Sequence, residues 1–344
     1  MWGGVKYVWA AFGLFLGVYG YSQNVQSPDT GVEYLIRAYH DNDFINYQGM
    51  GTDDAYTGGI RADLFFTKKR DSRFFVDRIL PKADASSHNI FQWGIMQVVY
   101  TPQDLDTSAY LSNDYAYAGG LYLIHSLYSY NAGKKFSFQT EINLGVMGPA
   151  SLAEESQELI HRAIGYEQPR GWQNQIRTDL LFNLNFTAEK QILGLGRFLE
   201  FMGGSKLSVG TLMNAVAVYP LIRIGWMNPY FDGFISQYAD LGHSGIHRNW
   251  KFQFYIFARP FVSWVLTNAM LEGGIFSDHR KREEGELIKY QNYQTIEHVV
   301  YQTDYGAVMG YGHFSISFSQ NISSMLIRNT YDHKYGNISL YFAW

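Results

Sequence analysis

His161 lies in the stretch "SLAEESQELIHRAIGYEQPRGW" (151–172), with Glu154, Gln157 and Glu158 before it and Glu167 six residues after it. An imidazole is suited to take a proton near neutrality, and neighbouring carboxylates can orient it or hold a cation. Ser156 falls on the other side of a helix from His161, so no Ser–His dyad forms within the stretch. The chain has no cysteine and no G-x-S-x-G elbow. A hydrolase built on these residues would therefore use water as its nucleophile, with His161 as the base. A histidine on a polar helix face is equally well explained as a solvated side chain, and "HDNDF" (40–44), with Asn42 and Asp43, is equally well a turn.

The stretch that carries His161 reads as one short helix. Ser151 and Glu154 have the spacing of a capping box. Glu154, Gln157, Glu158 and His161 share one face at about 100° per residue, and Leu152, Leu159, Ile160 and Ala163 share the other. Gly165 is the expected stop, with Pro169 beyond it.

Around it the chain reads as strands. In "WQNQIRTDLLFNLNFT" (172–187), Ile176, Thr178, Leu180, Phe182, Leu184 and Phe186 alternate with polar residues that include Arg177 and Asp179, an expected lumen ion pair. "KFQFYIFAR" (251–259), "FSISFSQ" (314–320) and "YGNISLYFAW" (335–344) alternate in the same way, and the chain ends on Trp344. Such strands suit a sheet with lipid on one side and a polar lumen on the other.

Composition agrees. The 344 residues contain 27 Tyr, 24 Phe and 34 Gly, with charged residues at only 17%. Mean hydropathy is −0.19, which suits neither a helical membrane protein nor an ordinary soluble enzyme. A net charge of −4 gives no electrostatic case for nucleic acid. Lys6, the apolar run 7–22 and the small residues Gly20 and Ser22 read as an export signal over 1–22, with an uncleaved anchor as the alternative. Residues 23–344 are then a single domain.

In lipid every backbone polar group must be paired, so spanning strands must close into a barrel. Twelve strands are expected, near 33–40, 55–67, 90–100, 117–130, 136–147, 172–187, 206–214, 218–228, 250–275, 297–310, 312–323 and 334–344. The fold class is all-β: a transmembrane, 12-stranded antiparallel outer-membrane barrel with one short helix in an extracellular loop. Because an even barrel begins and ends at the periplasmic rim, Asn42, Asp43, Thr57 and His161 all fall at the outer rim. Segments 68–89 and 188–205 read as long periplasmic connections.

"HDNDF" (40–44), "DAYTGG" (54–59), "QVVYTPQD" (97–104), "DYAYAGGLYL" (114–123), "GVMGPASLAEESQELIHRAIGYEQPRGWQNQI" (145–176) and the terminal "ISLYFAW" occur in the order of the LpxR-type lipid A 3'-O-deacylase family, which the chain resembles over nearly all its mature length. The resemblance implies an outer-membrane, Ca²⁺-dependent esterase that removes an acyloxyacyl chain from lipid A. It implies functional roles for Asn42, Asp43, Thr57, His161 and Glu167, with Asp43, Asn42 and Glu167 as metal ligands, and Glu167 alternatively as the group that orients His161. Asp53 and Asp54 read as solvated loop charges or, alternatively, as weak metal candidates. The implied partners are lipopolysaccharide and outer-membrane lipids, and a monomer is expected.

The family pattern D-R-P-Y-A-G-W is here "DYAYAGG", with Tyr115, Ala116 and Gly120 in place of Arg, Pro and Trp. No Lys or Arg lies between Thr101 and Gly120, where part of the family has an active-site lysine. This loosens the substrate assignment more than the chemistry. Two other readings are an outer-membrane phospholipase acting on glycerophospholipids and a non-catalytic porin or structural barrel.

Overall fold

The computed structural model describes residues 33–46, 55–111, 114–241, 251–276 and 296–344. The proposed export signal, Asp53 and Asp54 lie outside them. Twelve strands are present: β1 Tyr34–Asn42, β2 Ala55–Phe66, β3 His88–Thr101, β4 Ala118–Asn131, β5 Phe136–Met147, β6 Asp179–Leu195, β7 Leu199–Gly210, β8 Met213–Trp226, β9 Phe252–Asn268, β10 Val299–Tyr311, β11 Phe314–Ser323 and β12 His333–Ala343. Each pairs antiparallel with its sequence neighbours, and β1 pairs with β12, so the barrel is closed. Four α-helical segments are described rather than one: α1 Phe75–Ile79, α2 Ala153–Ile164, α3 Phe234–Tyr238 and α4 Ala269–Glu272. No helix among the described residues is long and apolar enough to cross a membrane.

The alternation has the physical meaning expected of it. Ile60, Leu64, Ile95, Leu123, Leu144 and Phe182 are exposed on the outer surface. Arg37, Arg61, Glu141 and Arg223 face the lumen, where ion pairs run from Arg37 to Asp63 at 2.6 Å, Arg61 to Glu141 at 3.1 Å and Arg223 to Glu200 at 2.7 Å. Pairing is what allows charges to stay in a space of restricted water. Described residues pack at both ends of the lumen, which keeps a cavity of about 730 Å³ between them. At the rim holding the chain ends of the barrel, α3 packs Phe234 on Phe65 and Tyr238 on Tyr341, with centroids 4.4 and 3.8 Å apart. At the opposite rim, Tyr115, Leu271, Ile296 and Ile327 form a buried cluster.

Tyr34 and Trp344 exchange backbone hydrogen bonds and stack at 5.4 Å, which puts the start and end of the barrel at one rim, the inner one. The β1–β2, β3–β4 and β5–β6 connections are then at the outer rim, as the strand parity requires. The largest offsets from the sequence-based ranges are in β6 and β7. The expected long connection at 188–205 is a tight turn around Gly196, whose φ is +56°. Glu189, read as a loop residue, lies in β6 and accepts hydrogen bonds from the Tyr219 and Tyr230 hydroxyls at 2.9 and 2.7 Å. Ile176, assigned to a strand face, is instead fully buried ahead of β6. Asp179 accepts the Phe276 backbone N–H at 2.8 Å, a contact the expected pairing with Arg177 did not foresee.

Two connections lie against the outside of the wall. The β5–β6 segment places α2 over β3 and β4. The β2–β3 segment places α1 over the other end of the same strands, where Leu80 packs with Phe91 and Leu127. Here the Asp77 carboxylate binds Lys68 Nζ at 2.8 Å, Ser72 Oγ at 2.5 Å and His125 Nε2 at 2.7 Å. Burial acts to raise this carboxyl, but the hydrogen bonds from Lys68, Ser72 and His125 outweigh it and hold it below the ordinary carboxylate range.

Candidate functional site

Asn42 ends β1 with the outward parity of Ile36 and His40. The residue before it, Asp41, points into the lumen and clamps this strand end. It accepts Tyr56 Oη at 2.9 Å and Asn337 Nδ2 at 2.9 Å, tying β1 to both neighbours. Asn42 then caps a short 3₁₀ turn, Asp43–Ile45, with its Oδ1 accepting the Phe44 N–H at 2.8 Å. Its Nδ2 donates to the Thr57 carbonyl at 3.2 Å. Asp43 follows, buried at 4% exposure.

Thr57 is the extra residue of a β-bulge: Tyr56 pairs with Tyr100 and Gly58 with Val99, leaving Thr57 unmatched. Ala55, two residues before, has a left-handed φ of +59°, a conformation unfavourable for a residue with a Cβ. Bulges of this kind re-aim side chains beside functional sites. Here the bulge keeps Tyr56 in the lumen and lets Thr57 Oγ1 meet Thr101 Oγ1 at 2.5 Å. Asn42, Asp43 and Thr57 are thus brought together.

Asn42, Gly58, Val99 and Gly119 are consecutive register partners across β1 to β4. With strands ~4.8 Å apart, the row spans roughly 14 Å of outward wall. At its far end a Cβ on Gly119 would lie 2.2 Å from Ala153 Cβ and 2.3 Å from Ser151 Oγ. Glycine there is what lets the start of α2 seat against the wall. Gln97, also outward-facing, donates to the Ser151 carbonyl at 2.7 Å and secures that seat.

The helix differs from its sequence reading at both its cap and its orientation. Ser151 does not form a capping box. Its hydroxyl donates to the Gly148 carbonyl at 2.6 Å, and Leu152, in the left-handed region, is the N-cap. Gly165 ends the helix with φ +72°, as expected, and the Tyr166 N–H bonds the His161 carbonyl. Ala153, Gln157 and His161 face inward against the barrel, and His161 is 5% exposed. Leu152, Leu159, Ile160 and Ile164 point away from it, Leu159 at 64% exposure. The apolar face of α2 is turned outward, where the wall around it meets lipid.

His161 Nδ1 lies 2.5 Å from the Glu167 carbonyl oxygen. A carbonyl only accepts, so Nδ1 carries a proton. Tyr166 packs edge-on against the ring at 5.1 Å. The Glu167 carboxylate is exposed, so this residue reaches His161 through its backbone. One turn before His161, Gln157 Oε1 accepts Trp172 Nε1 at 2.9 Å, while Gln157 Nε2 is buried with no hydrogen-bond partner among the described residues. Burial, then the charges of Glu158 and Glu155, raise the Glu154 carboxyl.

Sequence reasoning missed Gln157, Thr101, Gln97 and Gly119. Only Gln157 left a signal, its i, i+4 spacing to His161. The Asn42–Asp43–Thr57 cluster and the His161–Glu167 pair are two groups on the same outward side of neighbouring strands. As for a cation, no group of three or more His, Asp or Glu suited to a metal occurs among the described residues. Asp43 supplies a buried carboxylate and Thr57 a hydroxyl, part of the oxygen set that Ca²⁺ prefers.

A closed barrel, apolar outside and charged within, with a polar cluster on its lipid side at the outer rim, defines an integral outer-membrane protein. The family model described as outer membrane protein LpxR matches residues 9–344, so the chain belongs to that family and to the bacterial outer membrane. Among solved structures it is similar to LpxR from Salmonella typhimurium, at 19% identity and TM-score 0.67, over 90% of this chain and 99% of that one. The translocator domain of the autotransporter NalP from Neisseria meningitidis aligns at 9% identity, TM-score 0.40, over 98% and 97% of the two chains. A search of the curated proteins found no match.

Proposed function

We propose that this protein hydrolyses an ester-linked acyl chain, the acyloxyacyl group of lipid A, in the outer leaflet, and that it depends on Ca²⁺. The observation that carries the reading is His161, buried on the lipid side of the wall with its Nδ1–H held by a carbonyl. Its Nε2 takes a proton from water as that water attacks the ester carbonyl. Help of this kind is worth roughly 10²–10⁴-fold. The unpartnered Gln157 Nε2 donates to the ester oxygen as charge develops on it, a contribution of about 10²–10³ for comparable donors. The imidazolium then returns its proton to the leaving alcohol.

Asp43, with the Thr57 hydroxyl and the Asn42 oxygen, would hold the calcium ion. When bound it would polarise the ester carbonyl. Glu167 positions His161 through its backbone carbonyl. The acyl chains run beside Ile60, Ile95 and Leu123, which are exposed on the wall below the site. The outward apolar face of α2 sits among the same chains. The packing of α3 at one end of the lumen and of the Tyr115 cluster at the other argues against a porin.

The test is mass spectrometry of lipid A from an outer-membrane host expressing the protein, beside His161→Ala and chelator-treated controls. Loss of one acyl or acyloxyacyl group that needs both His161 and Ca²⁺ is expected. Unchanged lipid A together with released phospholipid acyl chains would move the assignment to the phospholipase reading.

A further inference from the structure

At the inner rim, the β2–β3 segment "TKKRDSRFFVDRILPKAD" (67–84) holds six Lys and Arg against three Asp in a chain of net charge −4. Two of those three carboxylates are already engaged: Asp77 with Lys68, Ser72 and His125, and Asp84 with Lys134 at 2.8 Å. Arg70, Arg73, Arg78 and Lys82 are exposed, with Asp71 the remaining exposed carboxylate of the segment. Beside these cations, Phe75 and Ile79 are 67% and 72% exposed.

The segment is fixed against the lipid-facing wall. Phe74 packs on Trp93 and His125 with centroids 6.0 and 5.3 Å apart. Trp93 is an outward, half-exposed residue of β3. Two register steps closer to the rim, Phe66 and Phe91 stack at 5.9 Å, next to Tyr34 and Trp344, an aromatic belt of the kind found at membrane–water interfaces. Between the segment and the strand ends is a cavity of about 940 Å³, lined by Lys68, Lys69, Arg70, Arg78 and Lys82 and by Glu33, Asp71, Asp77 and Asp232. The Arg78 Nε donates to the Ser72 carbonyl at 2.9 Å, which sets the direction of its guanidinium. Exposed apolar side chains and clustered cations at an interface are the combination that binds anionic lipid.

We propose that the 68–82 segment is a binding site for an anionic phospholipid of the inner leaflet. Phe75 and Ile79 enter the acyl region, and Arg70, Arg73, Arg78 and Lys82 hold the headgroup phosphate. The site lies at the opposite rim from His161 and does not depend on the catalytic reading.

The test is native mass spectrometry of the purified full-length barrel in detergent, incubated with equal amounts of phosphatidylglycerol and phosphatidylcholine of matched chains. The wild type is expected to retain phosphatidylglycerol preferentially. In the combined variant Arg70→Gln, Arg73→Gln, Lys82→Gln, that preference is expected to fall by at least about five-fold, the effect of one such cation near an anionic surface. Should the triple variant fail to insert, Arg73→Gln alone is read in the same way. Equal retention of the two lipids by the wild type, or an undiminished preference in the variant, would overturn the proposal.

Discussion

Two straps lie on the outside of β3 and β4, one at each rim, and each buries a histidine against the wall. At the outer rim the histidine belongs to the strap: His161 on α2, its Nδ1 bonded to a neutral carbonyl. At the inner rim it belongs to the wall: His125 on β4, its Nε2 bonded to the Asp77 carboxylate of the strap. Both straps turn apolar side chains away from the barrel, Leu159 and Ile160 in one, Phe75 and Ile79 in the other. The shared geometry is how a polar connection can lie on a lipid-facing surface, with its hydrogen-bonding groups inward and its hydrocarbon outward. The difference lies in what the histidine is left able to do. A carbonyl partner orients the ring through Nδ1, as the proposed base role of His161 requires. A carboxylate partner, reinforced by Lys68 and Ser72, makes a clamp.

The largest expected effect separates the two histidines. His161→Ala should lower lipid A deacylation by roughly 10²–10⁴-fold, whereas His125→Ala should leave the rate per folded molecule within a few-fold. Mass spectrometry of lipid A, normalised to inserted barrel, reads both. Equal losses in the two variants would erase the distinction.

The seating of the outer strap comes next. Gly119→Val would put a side chain where Ala153 and Ser151 now lie. It should cut turnover by up to about a hundred-fold through displacement of His161, while the heat-modifiable gel shift of the barrel persists.

For the inner strap, Asp77→Asn removes the charged centre of its clamp. The expected cost is about 2 kcal/mol in the denaturant midpoint, with activity at the outer rim little changed. A variant whose midpoint does not move would show that the contacts of Leu80 and Phe74 suffice.

The smallest effect is a pH dependence. Because the folded state holds the Asp77 carboxyl down, its contribution is complete above the unfolded carboxylate value of ~3.9. It is lost as pH falls through the lower folded value. Hydrogen-exchange protection factors over 68–80, corrected for the intrinsic pH dependence of exchange, should be unchanged between neutral pH and roughly pH 5, and should fall only below the ordinary carboxylate range. Loss of protection already near neutrality would argue against the clamp.

Much of the barrel was legible in the chain. Period-two alternation is local, and a strand between lipid and a polar lumen must show it, so Leu180, Phe182 and Leu184 announced their outward face. The β6–β7 turn was not legible, because Glu189 and Lys190 look like loop residues. The Glu189 carboxylate is accommodated by the Tyr219 and Tyr230 hydroxyls, and the Lys190 ammonium by the Lys134 carbonyl. Helix α2 was legible in its existence and in its stop at Gly165, but not in its orientation. Amphipathicity gives two faces without saying which meets water, and beside a bilayer the usual assignment inverts. The cap failed for a related reason: the Ser151 hydroxyl was drawn back to Gly148 as the chain turned onto the wall.

The sequence by itself determined the number of strands, their alternation, the closed barrel that lipid demands, and the residue types available for ester chemistry. Only the tertiary structure decided that Thr57 leaves the alternation through a bulge. Only it decided that Asn42, Gly58, Val99 and Gly119 form one row, that His161 is buried rather than solvated, and that Glu167 contributes its carbonyl. Those facts depend on register between strands distant in sequence and on which side of the wall a connection lies. Neither is encoded in any local pattern of residues.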